Sequence, residues 1–243
     1  MSTIIMNADN AVVNGTSDVD IIVVTGNNNT ISGFGDSDTI FGVGHANLLY
    51  GDSTVQGGPD AGVGSDILIG GSGDDTLWGG ADADTLQGGG GADKFSFGFV
   101  PQARLPVLDS TSQNPDLIVD FSQAEGDVIN LSGLRLFPAL PVIFLGTESF
   151  TDEIALEIRY EITGASTTVQ FRVPESDDPS TPASLLGQIN LAGNVDLTED
   201  DFVTDLILDI PVDPETETSV DAGKEAEPGQ ATLNCAPVEH WLM

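Results

Sequence analysis

The sequence predicts an all-β protein: a parallel β-roll of very short strands, followed by a β-rich cap. Three observations predict it. Large apolar residues recur every nine positions over most of the first hundred residues. Acidic or amide residues stand two positions before most of them. Glycine-rich stretches fill the space between.

The repeat is clearest over residues 61–96, which divide into AGVGSDILI, GGSGDDTLW, GGADADTLQ and GGGGADKFS. The sixth position is Asp66, Asp75, Asp84 and Asp93, and the eighth is Leu68, Leu77, Leu86 and Phe95. Upstream the same period runs through Ile4, Val13, Ile22, Ile31, Ile40 and Leu49, with Asp20, Asn29, Asp38 and Asn47 two residues before four of them. From Leu49 to Leu68 the spacing is two periods plus one residue, so an irregularity is expected near Asp52 to Asp60. A fixed period of this kind marks a solenoid.

Each unit joins a six-residue turn to an x-apolar-x triplet whose middle side chain points to one face. Three residues make a minimal strand, stable only when stacked in a long parallel sheet. Burial of each middle Leu or Ile then contributes roughly 1.5–3 kcal/mol. Glycine supplies the positive φ that tight turns need. Two strands and two turns close one coil of two repeats, which sets Asp66 beside Asp84 and Asp75 beside Asp93. Parallel neighbours lie about 4.8 Å apart. Two carboxylates at that spacing repel by roughly 3 kcal/mol at an effective dielectric of about 20. A cation relieves the stack, and hard oxygen donors suit Ca²⁺. Asp and Gly are also ordinary turn formers; the fixed phase of four aspartates favours the cation. In the upstream half, Asn stacks can bridge coils without metal, so that half is expected to be mostly metal-free.

Composition agrees. The chain has 243 residues, with six Lys and Arg against 39 Asp and Glu, a formal charge of −33. Such a surface favours cations and argues against nucleic acid or anionic membrane as partners. Hydrophobic residues make up 40%, which argues against wholesale disorder. One cysteine, Cys235, excludes an intrachain disulfide. The N-terminal MSTIIMNADN lacks the basic start of a Sec-type signal. The longest apolar stretch, Phe137 to Leu145, holds two prolines and is too short to span a bilayer.

These blocks resemble the RTX proteins, secreted proteins with GGxGxDxUx repeats. The resemblance implies that the turns bind Ca²⁺ through carbonyls of their glycine positions and the sixth-position Asp, shared between turns two repeats apart. On this sequence that implies Gly62, Gly64 and Asp66 with Gly79, Gly80, Asp82 and Asp84, and Gly70, Gly71, Gly73 and Asp75 with Gly88, Gly89, Gly91 and Asp93. About two well-formed sites follow. Ala61 replaces the first glycine of one block, and Asp82 the fourth-position glycine of another. The segment PDLIVDFSQAEGDVINLSGL resembles the cap of serralysin-type C-terminal domains; Asp120-Phe121-Ser122 and Glu125-Gly126-Asp127 fit either a further Ca²⁺ or capping contact or a strand–turn–strand with solvated acids, and the solvated acids are favoured.

The expected organisation is a roll over 1–97, a β-rich cap over 98–210 and an acidic, disordered tail over 211–243. Strand-like segments in the cap are 117–121, 128–131, 154–162 and 167–173, and IALEIRYEI alternates as a half-buried strand does. No catalytic constellation stands out. His-Glu-x-x-His is absent, and so are GxSxG and phosphate-loop signatures. His45 reads as a surface residue, Trp78 as packing, and Cys235 with His240 falls in the expected tail. The expected function is therefore a secreted, calcium-binding, non-enzymatic roll that folds on Ca²⁺ after type I export, a route the resemblance implies, with the type I secretion machinery as a partner. A structural or adhesive surface protein and an accessory module of a secreted hydrolase are the alternatives. Nothing in the sequence names a final target.

Overall fold

The fold was read from a computed structural model, which describes residues 1–52, 63–99, 107–134, 140–151, 153–174 and 184–205. The expected tail, and Gly62 among the expected ligands, lie outside the described residues.

Strands alternate between two sheets as the chain winds. One sheet takes β1 (Ser2–Asn7), β3 (Asp20–Thr25), β5 (Thr39–Val43), β7 (Ile67–Ser72), β9 (Thr85–Gly90) and β11 (Asp116–Ile118). The other takes β2 (Val12–Asn14), β4 (Thr30–Phe34), β6 (Leu48–Asp52), β8 (Thr76–Trp78), β10 (Lys94–Ser96) and β12 (Val128–Asn130). Every pairing within these two series is parallel. The chain thus forms a parallel β-roll with two strands per coil, as the repeat period predicts.

The middle residues of the triplets meet in register: Ile22 on Ile40, Ile31 on Leu49, Leu68 on Leu86, Leu77 on Phe95. From Ile22 to Phe95 the series is fully buried between the sheets. Apolar burial is the main favourable term for such narrow strands. Ile4, on the edge strand, is half-buried.

The irregularity takes a specific form. Elsewhere among the repeats, from β1 to β10, a residue pairs with its counterpart two repeats on, but Ile40 pairs with Leu68 and Leu49 with Leu77, a full repeat and one residue further along. The described strands on either side stay paired in parallel across this step, and the ten residues of the extra spacing, 53–62, lie outside the described residues. Keeping Leu49 and Leu77 stacked is worth more than keeping the sequence period, because loop length costs little.

Past the repeats both sheets continue. β11 pairs in parallel with β16 (Ser184–Ala192), and the first sheet runs on through β15 (Ser166–Pro174), β14 (Leu156–Thr163) and β13 (Val142–Gly146). β14–β15 and β15–β16 are antiparallel. β17 (Phe202–Val203) extends the second sheet beyond β12. The strand-like segments at 117–121, 128–131, 154–162 and 167–173 fall on β11, β12, β14 and β15, and β13, β16 and β17 lie outside them. Roll and cap share one core, with Phe171, Val169, Ile189 and Leu191 buried along with the roll's leucines. Within it Gly187 faces Phe171 across β15–β16, and a Cβ at 187 would collide with the Phe171 ring. Gly187→Ala is therefore expected to cost about 1–3 kcal/mol by overpacking and to lower the melting temperature by roughly 3–10 °C in a thermal melt.

Candidate metal centre

The turns stack into two rows, one on each flank of the roll. In the first, the backbone N–H of each sixth-position residue donates to Oδ1 of its counterpart in the next coil. Asp20 donates to Asp38 and Asp38 to Asp66, both at 2.7 Å. Asp66 donates to Asp84 at 2.8 Å and Asp84 to Asp116 at 2.9 Å. The second row runs Asn29, Asn47, Asp75, Asp93, Asp127 with the same bonds, at 3.1, 2.6, 2.9 and 2.9 Å. Sequence geometry places Asp66 beside Asp84 and Asp75 beside Asp93, and these bonds put them there.

One oxygen of each carboxylate is used by this ladder. The other, Oδ2 of Asp38, Asp66, Asp75, Asp84 and Asp93, is buried with no hydrogen-bond partner. Each of these residues is at most 2% exposed. A buried carboxylate oxygen without a partner is costly unless a cation or proton meets it. Burial pushes Asp66 up to about 8, Asp38 and Asp75 to about 7, and Asp93 to about 6, with neighbouring aspartates adding to the rise. Asp84 and Asp116 rise together, through burial first and the charges of neighbouring aspartates second.

The row ends are satisfied differently. Asp20 Oδ2 accepts from Thr16 N at 2.7 Å and Thr16 Oγ1 at 2.9 Å. Burial would raise its carboxyl, but the hydrogen bonds of Thr16 and Ser2 together outweigh it and hold the group below the ordinary value. Asp127 Oδ2 accepts from Ser122 N at 2.8 Å, and the Asp120 carboxylate accepts from Gly88 N and Gly89 N, both at 3.0 Å. Asp120 and Asp127 therefore act as a cap on the turns, where solvated acids were expected. In the second row Asn47 Nδ2 donates to the Gly42 carbonyl at 3.1 Å, which satisfies the turn without metal. The upstream half, expected to be mostly metal-free, thus divides by row, amide on one flank and acid on the other.

The backbone marks the same division. In four of the acidic turns positions two and four have positive φ: Gly71 and Gly73, Gly80 and Asp82, Gly89 and Gly91, and also Phe34 and Asp36. In the Asn turns the positive values move to positions three and five, Gly26 with Asn28 and Gly44 with Ala46. The turn 33–38 therefore has the conformation of the downstream turns although it lacks their glycine pair.

A cradle lies at position one of each acidic turn. A Cβ on Gly33, Gly51, Gly70, Gly79 or Gly88 would collide with Oδ2 of Asp38, Asp66, Asp75, Asp84 or Asp93 respectively. At Gly33, Gly51 and Gly70 it would also meet a carbonyl oxygen of the next coil, from Gly51, Gly79 and Gly88. The partner of Asp66 at this position is Gly51, ahead of the added residues, where the sequence blocks count back to residue 61. Gly64 stands at position four and packs against the Asp36 carbonyl.

Among the described residues no three His, Cys, Asp or Glu side chains group as a side-chain-only metal site would. Main-chain carbonyls must complete any donor set here. Buried unpartnered carboxylate oxygens, carbonyls beside them and all-oxygen chemistry fit Ca²⁺, which takes six to eight oxygen ligands.

Residues 14–44 and 60–95 match the family of the RTX calcium-binding nonapeptide repeat, in four copies. The chain carries RTX calcium-binding repeats and is a calcium-binding β-roll protein. Among solved structures it is similar to two subunits of the Azotobacter vinelandii mannuronan C5-epimerase. The AlgE6R3 subunit is 24% identical over 90% of this chain and 97% of that one, with a TM-score of 0.31. The AlgE6R2 subunit is 20% identical over 82% and 91%, with a TM-score of 0.32. No curated protein matches the chain. Among the described residues no helix is long and apolar enough to cross a membrane.

Proposed function

We propose that the roll is a secreted calcium-dependent folding element, loose while calcium is scarce and ordered when Ca²⁺ enters the turn rows after type I export. The ligands on this reading are the carboxylates of Asp66, Asp75, Asp84 and Asp93. Main-chain oxygens of their turns complete the set: Gly70, Gly71, Gly73, Gly79, Gly80, Asp82, Gly88, Gly89 and Gly91, with Gly62 and Gly64. The observation that carries it is the file of buried Oδ2 atoms without partners. The metal-free rows hold like charges in close stack, while an extended chain leaves them in water. Folding and binding are then one step. Calcium at about 100 times its Kd adds roughly 2.7 kcal/mol per site. Asp109 apart, the strongly shifted carboxylates lie along the turn rows, which favours a binding module over an enzyme.

Far-ultraviolet circular dichroism of chelator-stripped protein, titrated with Ca²⁺ and separately with Mg²⁺, tests the reading. A coil-to-β transition with Ca²⁺ that Mg²⁺ does not match is expected. A complete β spectrum in chelator, unchanged by Ca²⁺, would sink the proposal and leave the roll as a metal-independent scaffold.

A further inference from the structure

The turn interrupted by the added residues is unlike the others. Its first half is Gly51-Asp52 and its second is Val63-Gly64-Ser65-Asp66. Where the 70–75, 79–84 and 88–93 turns carry a second glycine, this one carries Asp52. Asp52 is buried, only 5% exposed, and wedged between two coils. Its backbone pairs with Phe34 on one side, and its carboxylate lies over Gly80 on the other, where a Cβ would meet Oδ2 at 2.5 Å. Oδ2 accepts from Ala81 N at 2.6 Å, and Oδ1 has no partner.

The surroundings of Asp52 are acidic. The turns on either side contribute Asp38 and Asp84, and its own contributes Asp66, each with a buried, unpartnered Oδ2. The Gly51 carbonyl, one residue away, faces the cradle at Gly33 beside Asp38 Oδ2. The same neighbourhood holds Phe34 and Asp36 at positive φ, 87° and 65°, a conformation costly for L-residues and kept here without glycine. A buried carboxylate with like charges in its own and the neighbouring turns is destabilising by itself. An added cation changes the sign.

We propose that Asp52 is a calcium ligand from outside the nonapeptide motif, and that the interrupted turn, closed against turn 79–84, where the Asp52 carboxylate lies, forms a site more highly charged than the glycine-only turns. This rests on the reading of the roll as calcium-binding. Ligand charge count tunes calcium affinity, so this site is the tightest of its row and fills first.

Isothermal titration calorimetry of the full chain with Ca²⁺ tests this on the wild type and three variants. Asp52→Asn keeps an acceptor for Ala81 N, and Asp52→Gly restores the residue of the neighbouring turns; both are expected to retain the Ca²⁺-saturated β spectrum. Both should lose the tightest binding class or weaken it at least about tenfold, since changes even to residues supporting a metal's ligands cost roughly 10–100-fold. Asp93→Asn, on the opposite flank, should leave that class intact and reduce another. Unaltered stoichiometry and affinity in both Asp52 variants would overturn the role of Asp52 while leaving the calcium reading standing. A wild-type chain that takes up no Ca²⁺ would overturn both together.

Discussion

A chain carrying D66N, D75N, D84N and D93N together is expected to keep its β-sheet spectrum in chelator and to ignore added calcium, while the wild-type chain loses the spectrum in chelator and regains it with calcium. The template for this result is already in the molecule. Asn47 holds the ladder through Oδ1, which accepts from Asn29 N, and turns its Nδ2 onto the carbonyl of Gly42, five residues back. Gly70, Gly79 and Gly88 stand at that same offset from Asp75, Asp84 and Asp93, and Gly51 takes the equivalent place for Asp66. An amide thus satisfies the atom that each aspartate leaves bare, and it removes a charge as it does so. With roughly 3 kcal/mol of repulsion between stacked neighbours at an effective dielectric of about 20, neutralising two adjacent pairs is a large change against a typical domain stability of about 5–15 kcal/mol. Thermal melts with and without Ca²⁺ read it directly. A quadruple variant that is unfolded in chelator, as the wild type is expected to be, would show that row charge is not what keeps the metal-free roll from folding.

In metal-free buffer, acid should stabilise this protein. Asp38, Asp52 and Asp75 are raised to about 7, Asp66 to about 8 and Asp93 to about 6, in each case by burial first. In the unfolded chain these groups titrate near 3.8. Between those limits the folded state holds more protons than the unfolded one, so stability falls as pH rises. Their contribution is complete below about pH 4 and is lost as pH climbs through about 6–8. Asp20, with its lowered value, acts in the opposite sense but is a single group at the row end. Stripped protein should regain β structure as pH is lowered from 8 toward 4, and over the range where it melts cooperatively its melting temperature should rise by about 10 °C or more toward pH 4, given roughly 2–4 °C per kcal/mol for a chain of this size. Protons and Ca²⁺ compete for the same oxygens, so calcium affinity should weaken as pH falls through the same interval. A stripped protein whose melting temperature rises steadily from pH 4 to 8 would show that the row carboxylates are hydrated or paired in solution.

Both expectations depend on atoms that the sequence locates only in part. The nine-residue period sets which side chains face inward and which stand at the turns, because strand alternation and turn chemistry are local. Ile22, Ile40, Leu68 and Leu86 could be assigned to a buried file, and Asp66 and Asp84 to one flank, from spacing alone. Whether a sixth-position residue leaves an oxygen bare is not local. Thr16 relieves Asp20 and Ser122 relieves Asp127, through hydrogen bonds that no period announces. The signal that could have divided the two rows was present in the residue type, since Asp38 continues an acidic file while Asn29 and Asn47 form an amide one.

The sequence by itself determined the architecture of this protein: the coil of two repeats, the apolar files between two sheets and the acidic turn rows that call for a hard cation. It did so because each of these follows from short-range periodicity repeated many times. The tertiary structure alone decided the register across the added residues. Once Leu49 stacks on Leu77 and Ile40 on Leu68, the turn of Asp66 begins at Gly51, and Asp52 is buried among the rows. That choice belongs to packing between coils, where burying a file of apolar side chains outweighs the small cost of a longer loop.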